Sequence, residues 1–432
     1  MTTLTPARDR AVDLVRALCI AGVVILHALM VGVTIGPDGP VFANAGETGT
    51  WLVPVSWVLQ VMPLFFVIGG FSGLTALRAA RRRGENGADF AAARVRRLLL
   101  PAVAAVGSAG VLLAVLGDAG LDPQIIGIAA HRFGQPLWFL GVFLLCQTLL
   151  PVMVRLHERA PVHTVAALAG IALTVEVVRA VTGTAGIGFL NLLFVWLAMQ
   201  QLGFLLADGW IDRLSRRTRL AAAAASLGLL GASFALGFHS PDLIANINPP
   251  TTALILVGVV HTCAFSLLRG RLRDAAARRV PALFTRFVTA RAMTIYLWHM
   301  PVLLTLAGLS ALVAMGTGMV LPAPASPEWW LTRPLWVIVA LAATALLSVP
   351  LARLESLRSP AAVVTGGAVA AASTAGIAGV VLLLVVGTSP TTAIVAVSAW
   401  LFALRIVTPA ARPVALAAPG VPPTPVQPRY SA

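Results

Sequence analysis

Apolar residues run along this chain in stretches of about twenty, broken by arginine, proline or glycine. Twelve stretches can be drawn, near 12–35, 51–77, 98–117, 136–154, 161–181, 188–207, 219–237, 250–268, 291–315, 333–352, 362–386 and 391–408. About twenty apolar residues of helix cross a hydrocarbon core, so the pattern predicts an all-α polytopic membrane protein with about twelve transmembrane helices. Pro54 and Pro63 are expected to kink the second helix. Gly366, Gly367, Gly376 and Gly379 are expected to give the eleventh a small-residue packing face.

Composition agrees with this and excludes a soluble enzyme. Of 432 residues, 58% are hydrophobic and 11% charged, where globular domains run near a quarter charged. No interval outside the apolar runs is long enough to bury a core of its own. A net charge of +15 would suggest nucleic acid in a soluble protein, but here every basic residue is an arginine in a loop or at a helix end. Alternate loops collect them, as the positive-inside rule requires. Arg8, Arg10 and Arg16 open the first helix; Arg78, Arg81, Arg82, Arg83, Arg94, Arg96 and Arg97 follow the second; Arg155 and Arg159 follow the fourth. Later clusters fall at 213–219, 269–291 and 353–358, with Arg405, Arg412 and Arg429 at the end. That places 28 of 31 arginines on one side and only Arg132, Arg179 and Arg333 opposite. Both termini are therefore expected in the cytoplasm, with the bilayer and not nucleic acid as the partner.

The first apolar run is longer than a signal-peptide core and ends without a small-residue cleavage site, so the helix is expected to be retained. Heavy alanine use without lysine suggests a GC-rich bacterial genome, hence an inner or plasma membrane. Cys19, Cys146 and Cys263 lie inside apolar runs with neither disulfide nor metal spacing; they read as packing residues, and no metal site is expected. The proline-rich segment 409–432 reads as a disordered cytoplasmic tail.

Ionisable groups at membrane depth are costly and mark function. His27 lies eleven residues beyond Arg16, and His299 eight beyond Arg291, which is about 16 Å and about 12 Å of helix. His261 comes to a similar depth, and three imidazoles could share one interior. Such a histidine can take a proton from a hydroxyl at neutral pH, or can itself accept an acyl group. Glu176 and Arg179, spaced i, i+3, are expected to neutralise each other. Arg78 with Arg81, and Arg94 with Arg97, repeat an R-x-x-R spacing whose guanidinium forks suit phosphate.

The segment Asp13-Leu-Val-Arg16, continuing to His27, carries Arg-x10-His and resembles the opening motif of the membrane-bound acyltransferase-3 family. Phe65-Phe66-Val67-Ile68-Gly69-Gly70-Phe71 resembles the family's FFVxSGF, with glycine at position 69 where serine is usual. Arg97-Leu98-Leu99-Leu100-Pro101, Leu137-Trp138-Phe139-Leu140 and Ile295-Tyr296-Leu297-Trp298-His299-Met300-Pro301 complete five motifs in family order. The resemblance implies a core of about ten helices that moves an acyl group, often acetyl, from cytoplasmic acyl-CoA to a hydroxyl of an acceptor, usually a saccharide or glycolipid. It implies that His27 is the essential histidine, Arg16 its motif partner, and Arg78, Arg81, Arg94 and Arg97 the contacts to CoA phosphates. By its i, i+3 spacing Asp13 either orients the Arg16 guanidinium or forms a plain helix-end ion pair with it. His299 is expected to line the same tunnel. On this reading 1–358 is the acyltransferase core, 359–408 holds two additional transmembrane helices and 409–432 is the tail. A twelve-helix small-molecule transporter is the competing reading, weakened by the lack of visible internal repeats, and a non-catalytic membrane scaffold is a third.

Overall fold

The structure, a computed structural model, describes residues 9–37, 39–356 and 364–408. The chain begins with α1 (Arg10–Met30), a hairpin of β1 (Val31–Gly36) and β2 (Gly39–Asn44), α2 (Leu52–Leu59) and α3 (Met62–Arg82). Then come α4 (Gly87–Asp118), α5 (Pro123–Gly134), α6 (Leu137–Arg159), α7 (Pro161–Thr182), α8 (Asn191–Ala207), the short α9 (Trp210–Arg213) and α10 (Arg216–Ala235). Next are α11 (Thr252–Ala277), α12 (Arg279–Thr289), α13 (Ala292–Thr317), α14 (Pro327–Leu351) and the short α15 (Arg353–Ser356). The last described elements are α16 (Gly366–Val385) and α17 (Pro390–Ile406). Among the described residues, eleven helices are long and apolar enough to cross a membrane, and Pro390–Ile406 is a shorter apolar helix. Arg8, Arg358, Arg412, Arg429, the 358/359 boundary and the tail lie outside the described residues.

Of the boundaries that differ from the sequence expectation, three have a plain local reason. The first helix ends at Met30 and not near 35, because Val31, Val33, Thr34 and Ile35 are β-branched and lead into a Gly-Pro turn. They pair as β1 with β2, from Val31 opposite Asn44 to Gly36 opposite Gly39, where φ is +122°. The second span is broken rather than kinked: α2 stops at Leu59, and Pro63, which lacks an N–H, sits in the first turn of α3. The third helix starts eleven residues early, because the Asn86 side chain accepts from the N–H groups of Ala88 and Asp89 at 2.8 and 2.9 Å and caps α4 at Gly87. Arg94 and Arg97 consequently stand on α4 itself.

Ion pairs draw the arginine-bearing ends together. Arg78 at the end of α3 grips Asp208 after α8, Arg81 meets Glu158 of α6 at 2.8 Å, and Arg269 of α11 joins Asp9 at 2.7 Å and Asp212 at 2.5 Å. At the opposite end Glu176 does not pair with Arg179. Its carboxylate accepts from the N–H and hydroxyl of Thr252, the latter at 2.9 Å, and lies 3.2 Å from His239 Nε2. The unfilled N–H groups at the start of α11 attract the carboxylate.

Within the bundle α3 and α8 meet backbone to backbone. A Cβ added at Gly203 would lie 3.0 Å from the Gly70 Cα, and one at Gly70 3.0 Å from the Gln200 Cα. On α16, Gly376 and Gly379 are similarly pressed by Leu144 and Trp400, whereas Cβ atoms at Gly366 and Gly367 would meet nothing within 4 Å, so half of the expected small-residue face is real. The Trp400 indole donates to the Gly376 carbonyl at 2.9 Å, joining α17 to α16, and both pack with α4 and α6 in one apolar cluster.

Candidate active site

A cavity of about 1440 Å³ follows α1 through the bundle. Its α1 wall includes Asp13, Arg16, Ile20, Val23, His27 and Met30, alternate steps of three and four along one helix face, with Arg10, Val12, Val24 and Leu26 beside them. This stripe covers about 25 Å at 1.5 Å per residue. The facing stripe on α3 is Phe65, Gly69, Ser72 and Ala76. Arg10, Arg94, Arg97, Arg269 and Arg286 stand around the end near Asp9, and Met30, Leu59, Gln60, Ile244 and Ile247 around the other. The volume exceeds the roughly 300–1,000 Å³ of an ordinary ligand pocket.

The two histidines meet across α1 and α13. His299 Nε2 lies 3.2 Å from His27 Nδ1, with ring centroids 4.9 Å apart. His27 Nδ1 is also 2.9 Å from the Val23 carbonyl, and His299 Nδ1 is 2.5 Å from the Tyr296 carbonyl. Carbonyls only accept, so the hydrogen-bond partners assign a proton to Nδ1 of both rings. The His27 Nδ1–H therefore donates to Val23 and faces the lone pair of His299 Nε2. This tautomer leaves His27 Nε2 unprotonated, the state a base or nucleophile needs. The fully buried His299 is itself held by the turn in which the Tyr296 hydroxyl donates to the Pro136 carbonyl at 2.6 Å.

Arg16 belongs to another station. Eleven residues separate it from His27, about 16 Å of helix, so it does not reach the histidines. Its guanidinium donates to the Ser72 hydroxyl, and Asp13 lies 3.5 Å away on the same helix face. Arg94, with its guanidinium 4.9 Å above the Phe90 ring, and Arg97 line the mouth and form no ion pair among the described residues. Arg78 and Arg81 are not on the cavity wall; each is engaged by a carboxylate. His261 does not line the cavity either, which leaves two imidazoles together and not three. At the rim, burial pushes the Asp9 carboxyl up, but hydrogen bonding and charge from Arg269 outweigh it and hold the group below the usual carboxylate range. Asp208 is likewise raised by burial and more strongly lowered by Arg78, with His157 assisting at 3.3 Å.

A family model described as an acyltransferase domain matches residues 9–353, well over half the chain. The chain belongs to the acyltransferase-3 family. No curated protein and no solved structure gives a significant match. In this multi-pass membrane acyltransferase every residue lining the main cavity falls within the matched segment, and α16 and α17 lie beyond it. Glycine at position 69 does not serve helix packing. A Cβ there would meet only the Phe143 ring, at 3.6 Å, so Gly69 faces the cavity while Gly70 carries the close contact to α8. Sequence reading missed Ser72, although it lies three residues beyond Gly69 on the same helix face. It also passed over Tyr296, which stands inside the histidine motif itself.

Proposed function

We propose that this acyltransferase moves a short acyl group, acetyl by expectation, from cytoplasmic acyl-CoA to a hydroxyl of an acceptor reaching His27 from the opposite side. The observation that carries the reading is the unbroken cavity from the arginine mouth to the paired histidines. The mouth arginines Arg94 and Arg97, with Arg10 and Arg286, suit the CoA phosphates. The pantetheine arm would run between the α1 and α3 stripes, past Arg16 and Ser72, and bring the thioester to His27. Arg78 and Arg81, both in ion pairs, are left out of this assignment.

At His27, Nε2 takes the proton of the acceptor hydroxyl as its oxygen attacks the thioester carbonyl. The C–O bond forms, the C–S bond breaks, and the departing CoA thiolate takes that proton from the imidazolium. While His27 is charged, its Nδ1–H is held by the Val23 carbonyl and the His299 lone pair, so His299 is a positioning residue. The same Nε2 would carry the acyl group in a two-step route, which ping-pong kinetics would reveal. The arginine distribution favours an inner or plasma membrane location, twelve crossings and cytoplasmic termini.

The test is untargeted mass spectrometry of surface glycans, lipids and secreted metabolites from cells with wild type, His27→Ala or no protein. A species heavier by one acyl group, present only with the wild type, is the expected result. Identical spectra from all three would overturn the reading and favour a transporter.

A further inference from the structure

Arg132, Arg179 and Arg333 stand apart from the other arginines in the loop pattern, and the structure explains two of them. The Arg333 guanidinium lies 3.4 Å above the Trp329 ring and donates to the Val31 carbonyl at 3.3 Å, closing the end of α1. The Arg179 stem fills the space beside Gly188, where an added Cβ would lie 3.0 Å from its Cδ. Arg132 has no comparable structural task. Its hydrogen bond is a long one, from Nη1 to Gln135 Oε1 at 3.4 Å, and it forms no ion pair among the described residues.

Arg132 and Gln135 line a second, partly open cavity, about 40 Å³, between α5, the hairpin, the end of α1 and Met300 and Leu304 of α13. His27 and Met30 line both cavities, so the two adjoin at these side chains. The smaller space exceeds the roughly 10–15 Å³ a water needs but is far too small for a whole substrate. It admits a reacting group while the body of the molecule stays outside. No carboxylate lines it, and the nearby Glu47 accepts from the Asn44 amide at 2.9 Å.

We infer that this second cavity is the acceptor port, and that Arg132, steered by Gln135, holds a carboxylate or phosphate of the acceptor while a neighbouring hydroxyl reaches His27. The inference rests on acyl transfer at His27. A guanidinium with no acidic partner among the described residues, placed against the positive-inside preference and lining the same small cavity as His27, matches a planar oxyanion through two parallel N–H donors. Donor and acceptor would then reach the same imidazole through different cavities.

The experiment compares wild type, Arg132→Gln and Arg132→Lys in the full chain. It measures acylated product per molecule of protein in the membrane, and the acetyl-CoA concentration for half-maximal CoA release. Arg132→Gln should lower product about tenfold or more, Arg132→Lys should fall between, and the acetyl-CoA requirement should hold. Fragmentation of the wild-type product should show a carboxylate or a phosphate on the acylated molecule, and says which. Undiminished product in Arg132→Gln, a parallel rise in the acetyl-CoA requirement, or a neutral acceptor would each overturn the inference. Wild-type product in Arg132→Lys would also count against it, since lysine complements the end of α5 as arginine does but lacks the fork. If the wild type yields no acylated species, the transfer reading itself has failed and takes this one with it.

Discussion

At the cavity mouth, five arginines from four helices face one space, each partly or fully exposed and none dependent on a single neighbour for its charge. At the histidine end, two side chains rely on one carbonyl each and on one another, at 2.9, 2.5 and 3.2 Å. Charge in water is redundant and graded, because screening makes each guanidinium worth little alone. A buried hydrogen-bonded pair is neither, since removing one partner strands the other. The same cavity should therefore respond to mutation steeply at one end and shallowly at the other.

The steepest response is expected at His27. Its replacement by alanine should cut turnover by about 10²- to 10⁴-fold, the usual share of general acid–base catalysis, with unchanged protein level; a rate within a few-fold of wild type would erase the contrast. Next comes His299→Ala, expected to lower kcat about tenfold to a hundredfold through the lost partner of an imidazolium, leaving the KM for acyl-CoA nearly as it was. His299→Gln, which returns an accepting oxygen, should recover part of that loss, and a KM effect without a kcat effect would move His299 to the binding surface. At the mouth, replacing Arg94 and Arg97 together by alanine should raise the KM for acyl-CoA about tenfold, and the difference should shrink in high salt. An effect insensitive to salt would mean that the pair supports the helix and not the ligand.

The smallest effect concerns the rim. Because Asp9 titrates lower in the folded chain than unfolded, its pairing with Arg269 stabilises above about pH 4 and is lost as pH falls through the folded value. Asp9→Asn keeps the helix cap, so it should lower the melting temperature by about a degree or two at pH 7 and by progressively less as pH falls through the folded value. A difference that grows on acidification would reverse the sign of this argument.

The amino-acid pattern made the spans legible because lipid imposes one length and one composition on every crossing. The hairpin was also written there, as β-branched residues followed by Gly36, Pro37 and Gly39, but the same residues are apolar and pass as the tail of a transmembrane run. His27 and His299 could be picked out singly, since an imidazole at depth is rare; their pairing depends on how α1 meets α13, a contact between residues 272 apart. The two R-x-x-R pairs are the sharpest case. They are alike as text, yet Arg78 and Arg81 are claimed by Asp208 and Glu158, which lie far along the chain, while Arg94 and Arg97 are not. Spacing fixes which face of a helix a side chain occupies, and only the tertiary partner decides what that face meets.

The Gly70 and Gly203 contact has a mechanical consequence. With its back fastened to α8, α3 is the fixed jaw of the cavity, and its stripe from Phe65 to Ala76 cannot retreat without separating two backbones. Any widening to pass a nucleotide-sized donor then falls to the opposite jaw, where the eleven-residue α12 carries Arg286 at the mouth. The cavity would open as a clamp with one moving arm, and that arm carries one of the mouth's five arginines.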